Sequence, residues 1–339
     1  MTTDGADPAA ILDLLVAFRK SKAMFAAVSL GVFDALEAGP KAAPRLAAEL
    51  TAHPDALARL LDACVGLGLL ARDGERYATT PAASAFLTAA SPRRLTGYLT
   101  FTNDVLWKLW GHLEDAVRTG GPGWKVAFGW DSPVFANIFH SDAVRREFLM
   151  GMHGYGLISS PEVVAAFDLS RFRRLVDLGG ATGHLAVAAC RRYPALRAVV
   201  FDLPEVVPLA RELVGASGVA DRVEVAAGDF FADPLPPADL YALGRVLHDW
   251  SADKIAALLR KVYDALPVGG GVLVAEKLLD DDRAGPPWAQ MQDLNMLLVT
   301  EGRERTLGEY AGLLRQAGFA EEDGRRTAAP VDAVLGIKR

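Results

Sequence analysis

The chain is poor in cysteine: 339 residues carry two, Cys64 and Cys190, far apart and without a nearby partner. A disulfide framework and a cysteine-held zinc site are therefore disfavoured, and a reducing compartment, the cytoplasm, is the expectation. A basic excess is also missing. Thirty-six Lys and Arg stand against 42 Asp and Glu, for a formal charge of −6, the reverse of what a nucleic-acid partner selects. No apolar run reaches the roughly 18 residues that span a bilayer, so no membrane partner is expected. The opening Met1–Asp7 is polar and acidic, unlike a secretory leader. GxxxxGK[ST] is absent, which removes a P-loop, and the lack of GxGxxG disfavours a dinucleotide. What is abundant is apolar mass, 51% of residues against 23% charged, and a length that suggests two domains.

Residues 10–37 read as helix broken near Gly31. Two more helices follow at 43–50 and 54–69, with Pro54 suited to a first turn. Asp73-Gly74 between short apolar runs signals a hairpin. Helix, helix, helix, hairpin is the order of a winged helix. The helix that would read DNA, Asp55–Cys64, holds one Arg, two Asp and mostly Leu and Ala. It would repel phosphate and suit an apolar partner, which favours a dimerisation module over a ligand-sensing DNA-binding regulator. Residues 81–155 are mainly helical and aromatic-rich, with Trp107, Trp110, Trp124, Trp130 and Phe139 among them. Most are expected to pack in a core, and some to line a pocket for an apolar, planar ligand.

From about residue 172 the pattern alternates strand and helix. Strand-like runs fall at 175–178, 198–201, 223–226, 240–243 and 272–275, with a last one at 333–337. Apolar strands with helical crossovers predict an α/β domain whose parallel sheet is covered on both faces. The expected division is a winged-helix-like dimerisation domain at 1–100, a helical linker and substrate-pocket region at 101–160, and a Rossmann-like domain at 161–339.

Ligands of such sheets bind beyond the carboxyl ends of the strands. The first strand ends in Asp177-Leu178-Gly179-Gly180-Ala181-Thr182-Gly183, where glycines permit a tight turn and close approach. The second ends at Asp202, placed to accept ribose hydroxyls. The third ends in Gly228-Asp229-Phe230, a carboxylate for an adenine amino group and a ring to stack on it. The fourth ends in Arg245-Val246-Leu247-His248-Asp249-Trp250 and the fifth at Glu276. Each signal alone is weak: a glycine turn can be only a turn, Asp202 a helix cap, His248 a structural histidine. Together and in order, acidic strand ends suit an adenosine ligand with a positive charge, and S-adenosylmethionine (SAM), a sulfonium, fits that description.

These same segments resemble the SAM-dependent small-molecule O-methyltransferases, the class of plant caffeate and isoflavone enzymes and bacterial polyketide-tailoring enzymes. With Leu278–Arg283, Leu294–Leu297 and Thr300–Thr306, the motifs are most similar to acetylserotonin O-methyltransferase and its relatives. The resemblance implies a Rossmann-like SAM-binding sheet, an N-terminal winged-helix dimerisation domain, a homodimer and a role in secondary metabolism. It implies SAM contacts at Gly179, Asp202, Gly228, Asp229, Phe230 and Arg245, with Phe139 covering the cofactor. It makes His248 the general base, flanked by Glu276 and Glu304, and puts Asp249 and Asn295 against the substrate. The sequence departs from the pattern at Ala181, where many members have a third glycine. It departs again at Val299, where the acetylserotonin enzyme has a glutamine that meets the substrate amide, which argues against acetylserotonin as the acceptor.

The implied reaction moves a methyl group from SAM to a hydroxyl, expected to be phenolic, on an aromatic small molecule. A phenol has a pKa near 10 and a free histidine about 6.5, so at pH 7 a neutral His248 can take the proton while a glutamate steadies the imidazolium. Glu304 lies in an Arg303-Glu304-Arg305 run that by itself reads as a solvated surface. No His, Asp and Glu cluster has metal-ligand spacing, so no metal is expected. The alternative is a tailoring enzyme of the same fold that decarboxylates or hydroxylates with SAM bound.

Overall fold

A computed structural model describes residues 7–130 and 141–339. The chain divides into two compact units, Met1–Val105 and Leu106–Arg339.

In the first unit, helices Ala9–Ser29 and Val32–Glu37 are separated at Gly31, whose φ of +75° is left-handed backbone that glycine adopts without strain. Strand β1 (Lys41–Ala42) leads into helices Ala43–Glu49 and Pro54–Gly66. Strands β2 (Leu70–Asp73) and β3 (Arg76–Thr79) form the hairpin around Gly74, and β1 adds to the other edge of β3. Leu36, Leu46, Leu57, Leu61, Leu70 and Tyr77 fill the core. The Tyr77 hydroxyl and Arg72 both donate to Asp62 Oδ1, at 2.7 and 2.8 Å, so this helix spends an acidic side chain on holding its own hairpin. On Ala9–Ser29, by contrast, Ile11, Leu12, Leu14, Leu15 and Phe18 are all more than half exposed. A row of that length without cover marks an association surface.

The second unit is built on seven strands: β4 (Arg174–Leu178), β5 (Arg197–Asp202), β6 (Val223–Ala227), β7 (Leu240–Gly244), β8 (Gly271–Glu276), β11 (Glu321–Arg325) and β12 (Asp332–Ile337). Their order is β11-β12-β8-β7-β4-β5-β6. β4 to β8 run parallel, and β12 is antiparallel to both its neighbours. Alternate residues feed opposite cores: Leu175, Val200, Leu240 and Leu273 on one face, Val176, Val199, Tyr241 and Val272 on the other. β11 is not among the strands that the sequence predicts. Its run Glu-Glu-Asp-Gly-Arg has no apolar alternation, because it is an edge strand. Two further short strands, β9 (Leu278–Leu279) and β10 (Arg305–Thr306), pair in parallel with Arg305 opposite Leu278. That pairing sets Glu304 beside the end of β8, where Glu276 lies. Helix Asp142–Ala165 packs on helix His184–Arg192 so closely that a Cβ at Gly156 would come within 2.3 Å of the His184 ring. Among the described residues no helix is long and apolar enough to cross a membrane.

Candidate active site

The carboxyl ends of β4 to β8 converge on one edge, and the turn after β4 shows how. Gly179, Ala181 and Gly183 all have positive φ, at +66°, +48° and +77°. Ala181 is the costly one, since a Cβ disfavours this region by about 1–2 kcal/mol. It is held there because its N–H donates to Asp202 Oδ2 at 2.7 Å. The other Asp202 oxygen accepts from Leu203 N, also at 2.7 Å. Asp202 therefore ties the first two strand ends together. Burial raises its pKa to about 6 against those two hydrogen bonds. Behind the turn, Asp177 is buried with Oδ2 lacking any partner, and burial lifts it to about 7, with Asp202 adding to the rise. Two acids that resist ionisation thus lie side by side under a glycine turn, where a nearby positive charge would favour their ionised forms.

At the third strand end a Cβ on Gly228 would collide with Phe201 at 2.2 Å, so the position requires glycine. Asp229 Oδ1 accepts from Phe231 N at 2.8 Å, which folds the loop and leaves Phe230 half-buried beside Gly179. Lys261, which the sequence reading passed over, donates to the carbonyls of Phe230, Phe231 and Asp233 and holds this loop from below. Arg245, again at positive φ (+56°), places its guanidinium 4.5 Å from the Tyr155 ring and 3.4 Å from Met152 Sδ. A lone aromatic in the 81–155 stretch gave no sign of that contact. Phe139 lies outside the described residues.

The fourth and fifth strand ends build the second half of the site. His248 sits in a short 3-10 turn, Leu247–Asp249, and is 4% exposed. Its Nδ1 lies 2.6 Å from Glu304 Oε1 and 3.4 Å from Glu276 Oε2, and its Nε2 lies 3.8 Å from Asp249 Oδ1. Glu276 Oε1 accepts from both Val246 N and Leu247 N at 2.9 Å, fixing the turn that carries the imidazole. From the opposite side the backbone of Gly302 presses on the His248 carbonyl, where a Cβ would come within 2.1 Å. Glu304 is fully buried and Arg305 nearly so, while Arg303 is exposed. The charge run is thus no solvated surface, because the pairing of β9 with β10 pulls its last two members inward.

Burial alone would push the His248 pKa down. Glu276, Glu304 and Asp249 outweigh it and raise the value to about 10. The three carboxylates around the ring thus favour its charged form and would stabilise the imidazolium that forms when it takes a proton. Glu276 rises to about 7 through burial and the like charges of Glu304 and Asp249, against His248 and the Leu247 N–H. Asp249 is also raised, chiefly by burial. His248, Glu276 and Glu304 offer ligand atoms within 4.8 Å of one another, a grouping that sequence spacing did not reveal. Ligands at about 2.0–2.2 Å on a tetrahedral metal stand more than 3 Å apart. The 2.6 Å between His248 and Glu304 is instead a charge-assisted hydrogen bond. Asn295 is buried on helix Pro287–Val299, and its Oδ1 accepts from Trp110 Nε1 at 3.1 Å, which picks Trp110 out of the aromatic stretch.

A parallel-stranded sheet of this order, with glycine and acid at its first three carboxyl ends, defines a SAM-dependent methyltransferase. Residues 110–320 match the family model of the O-methyltransferase domain, and residues 12–89 match that of the O-methyltransferase dimerisation domain. The chain belongs to the SAM-dependent O-methyltransferases. It is 43% identical to acetylserotonin O-methyltransferase of Bos taurus over 95% of each chain. It is 37% identical to 3-hydroxy-5-methyl-1-naphthoate 3-O-methyltransferase of Streptomyces sahachiroi, over 98% of this chain and 95% of that one. Human N-acetylserotonin methyltransferase in complex with SAM superposes with a TM-score of 0.91 at 39% identity, covering 100% of this chain and 99% of that chain. The dimerisation-domain match and the apolar row on Ala9–Ser29 together support a homodimer.

Proposed function

We propose that this O-methyltransferase acts on a phenolic hydroxyl of an aromatic small molecule in secondary metabolism, with His248 as the proton acceptor. The observation that carries this reading is the buried imidazole with carboxylates at 2.6, 3.4 and 3.8 Å. SAM bound at the β4–β6 edge supplies an electrophilic methyl group. Gly179, Asp202, Gly228, Asp229, Phe230 and Arg245 would hold it. The fit rests on the orphaned Asp177 oxygen, the two acids with raised pKa, and the bare backbone at Gly179, where a Cβ would crowd in at 3.0 Å from Val246 and 3.4 Å from Phe230.

His248 has one ring nitrogen committed to Glu304, which leaves Nε2 for the acceptor. With a pKa raised to about 10, near that of a phenol, the deprotonated ring takes the phenol proton with little change in free energy. The reactive pair is phenol with imidazole or, equivalently, phenolate with imidazolium. In either description the proton ends on the imidazole, whose positive charge Glu304 and Glu276 stabilise. Asp249 and Asn295 border the acceptor in this reading. Val299, one turn beyond Asn295 on the same helix and buried, offers no polar atom to an acceptor amide. An aromatic hydroxyl compound without the acetamido arm is favoured, in keeping with the naphthoate specificity that one relative's name states.

The test is His248→Ala assayed with labelled SAM on a panel of phenols, hydroxyindoles and hydroxyquinones. Turnover at pH 7 should fall by roughly 10²–10⁴-fold on high-pKa acceptors, with partial recovery at high pH or on acidic phenols. SAM affinity should be unchanged. Wild-type turnover by the variant on a high-pKa phenol would refute the assignment.

A further inference from the structure

The loop after β6 is folded by its own groups. Asp229 N donates to Asp233 Oδ2 at 2.8 Å, Phe231 N to Asp229 Oδ1 at 2.8 Å and Asp233 N to the Asp229 carbonyl at 2.7 Å. The carbonyls of Phe230, Phe231 and Asp233 instead accept from one donor group, the ammonium of Lys261 on helix Ala252–Ala265, at 2.9, 3.1 and 2.6 Å. An ammonium has three N–H donors, and three carbonyls meet this one. Rings hold the loop as well: the centre of Phe230 is 4.7 Å from that of Phe231, and Phe231 meets Trp250 edge-on at 5.0 Å. The loop therefore has two attachments, the Phe231–Trp250 contact and Lys261. It reaches the glycine turn after β4, where a Cβ at Gly179 would come within 3.4 Å of the Phe230 ring.

Three carbonyl oxygens drawn to one point repel one another, and the ammonium between them offsets that repulsion. With the charge removed, the carbonyls gain by turning toward water. The backbone that turns with them carries the Asp229 carboxylate and the Phe230 ring. Groups placed to meet a ligand tolerate little displacement. We propose that Lys261 is a positioning residue for the cofactor, whose ammonium holds the 229–233 loop in the shape that presents Asp229 and Phe230 to the adenosine of SAM. The proposal rests on the reading of Asp229 and Phe230 as cofactor contacts given above, and the experiment separates the two. The turn that carries His248 is fixed independently by Glu276, and its ring by Glu304. The effect of Lys261 should therefore fall on cofactor affinity and spare the chemical step.

The experiment is Lys261→Met, which keeps an unbranched apolar stem without the donors, beside Lys261→Arg, which keeps charge and donors. Calorimetry on the full chain measures binding of S-adenosylhomocysteine (SAH) and of 5′-methylthioadenosine, which has the adenosine and lacks the amino acid. Lys261→Met should weaken both in equal proportion, by about 5–20-fold, the value of a charged hydrogen bond discounted for the partial exposure of the lysine. Lys261→Arg should recover most of the loss. In turnover the KM for SAM should rise by the same factor, with kcat at saturating SAM within about twofold of wild type and the pH profile unchanged. SAH affinity equal to wild type in Lys261→Met overturns the proposal and leaves the Phe231–Trp250 contact holding the loop by itself. A loss confined to SAH, an equal loss in the Met and Arg variants, or a fall in kcat with the SAM KM intact would overturn it too. Phe230→Ala separates the underlying reading. If it binds SAH like wild type while Lys261→Met does not, the ring is no cofactor contact and Lys261 acts through Asp229. If it is weakened and Lys261→Met is not, the positioning role alone fails.

Discussion

Replacing Glu304 by Gln is the sharpest test of how the site supports charge on its histidine. The substitution keeps shape and volume but removes the anion 2.6 Å from His248 Nδ1. Hydrogen bonds to a charged group contribute about 1.5–3 kcal/mol, and this one is fully buried. It strengthens as positive charge develops on the ring, so its loss falls on the transition state and converts to roughly 10–150-fold in rate. Glu276 at 3.4 Å and Asp249 at 3.8 Å remain and moderate the effect, which places the expected drop in kcat at roughly 10–50-fold. The His248 pKa, raised to about 10 by the carboxylates, should fall in the variant. The sign follows from which form each partner favours: an anion stabilises imidazolium, so removing it makes the proton easier to lose. The loss should be largest on a phenol of high pKa and shrink on an acidic one, while SAM affinity measured by calorimetry stays constant. Turnover of Glu304→Gln equal to wild type across pH 6–9 on a high-pKa phenol would show that the pair is only structural.

Asp202→Asn should weaken SAM binding by about one to two decades, the value of a charged hydrogen bond, and calorimetry reads it directly. Because Asp202 also accepts from Ala181 and Leu203, the Ala variant should lose thermal stability where Asn keeps more of it. Asp177→Asn should stabilise the cofactor-free protein as pH rises. The folded carboxyl sits at about 7, above its ordinary 3.8, so the ionised form costs stability that grows from about pH 4 upward and levels off above 7. Melting curves at pH 4 and pH 8 should differ from wild type only at the higher value, and an equal shift at both would refute this. Leu15→Glu, within the exposed row of Ala9–Ser29, should shift the chain toward monomer in light scattering. A 36.2 kDa species for the wild type at micromolar concentration would remove the basis for that prediction.

Much of this protein is legible in its amino-acid order, because local rules carry it. Alternating apolar strands and glycine turns announce a parallel sheet, and the positions of Asp202, Asp229 and Glu276 follow from strands ending where they do. The helix break at Gly31 and the hairpin at Gly74 need only backbone sterics. What the tertiary structure alone decided are the facts that depend on segments distant in the chain. Glu304 in its Arg-Glu-Arg run is polar by every local measure. It is buried because β10 pairs with β9 and lays it against His248, 56 residues away. β11 has no apolar pattern because an edge strand needs none. The pKa of His248 is likewise raised by carboxylates from its own turn, from the end of β8 and from beside β10, and no short sequence window contains them all. Periodicity reports which face of an element is buried. The distance between charges brought together by folding, on which the chemistry depends, is a property of the packed molecule.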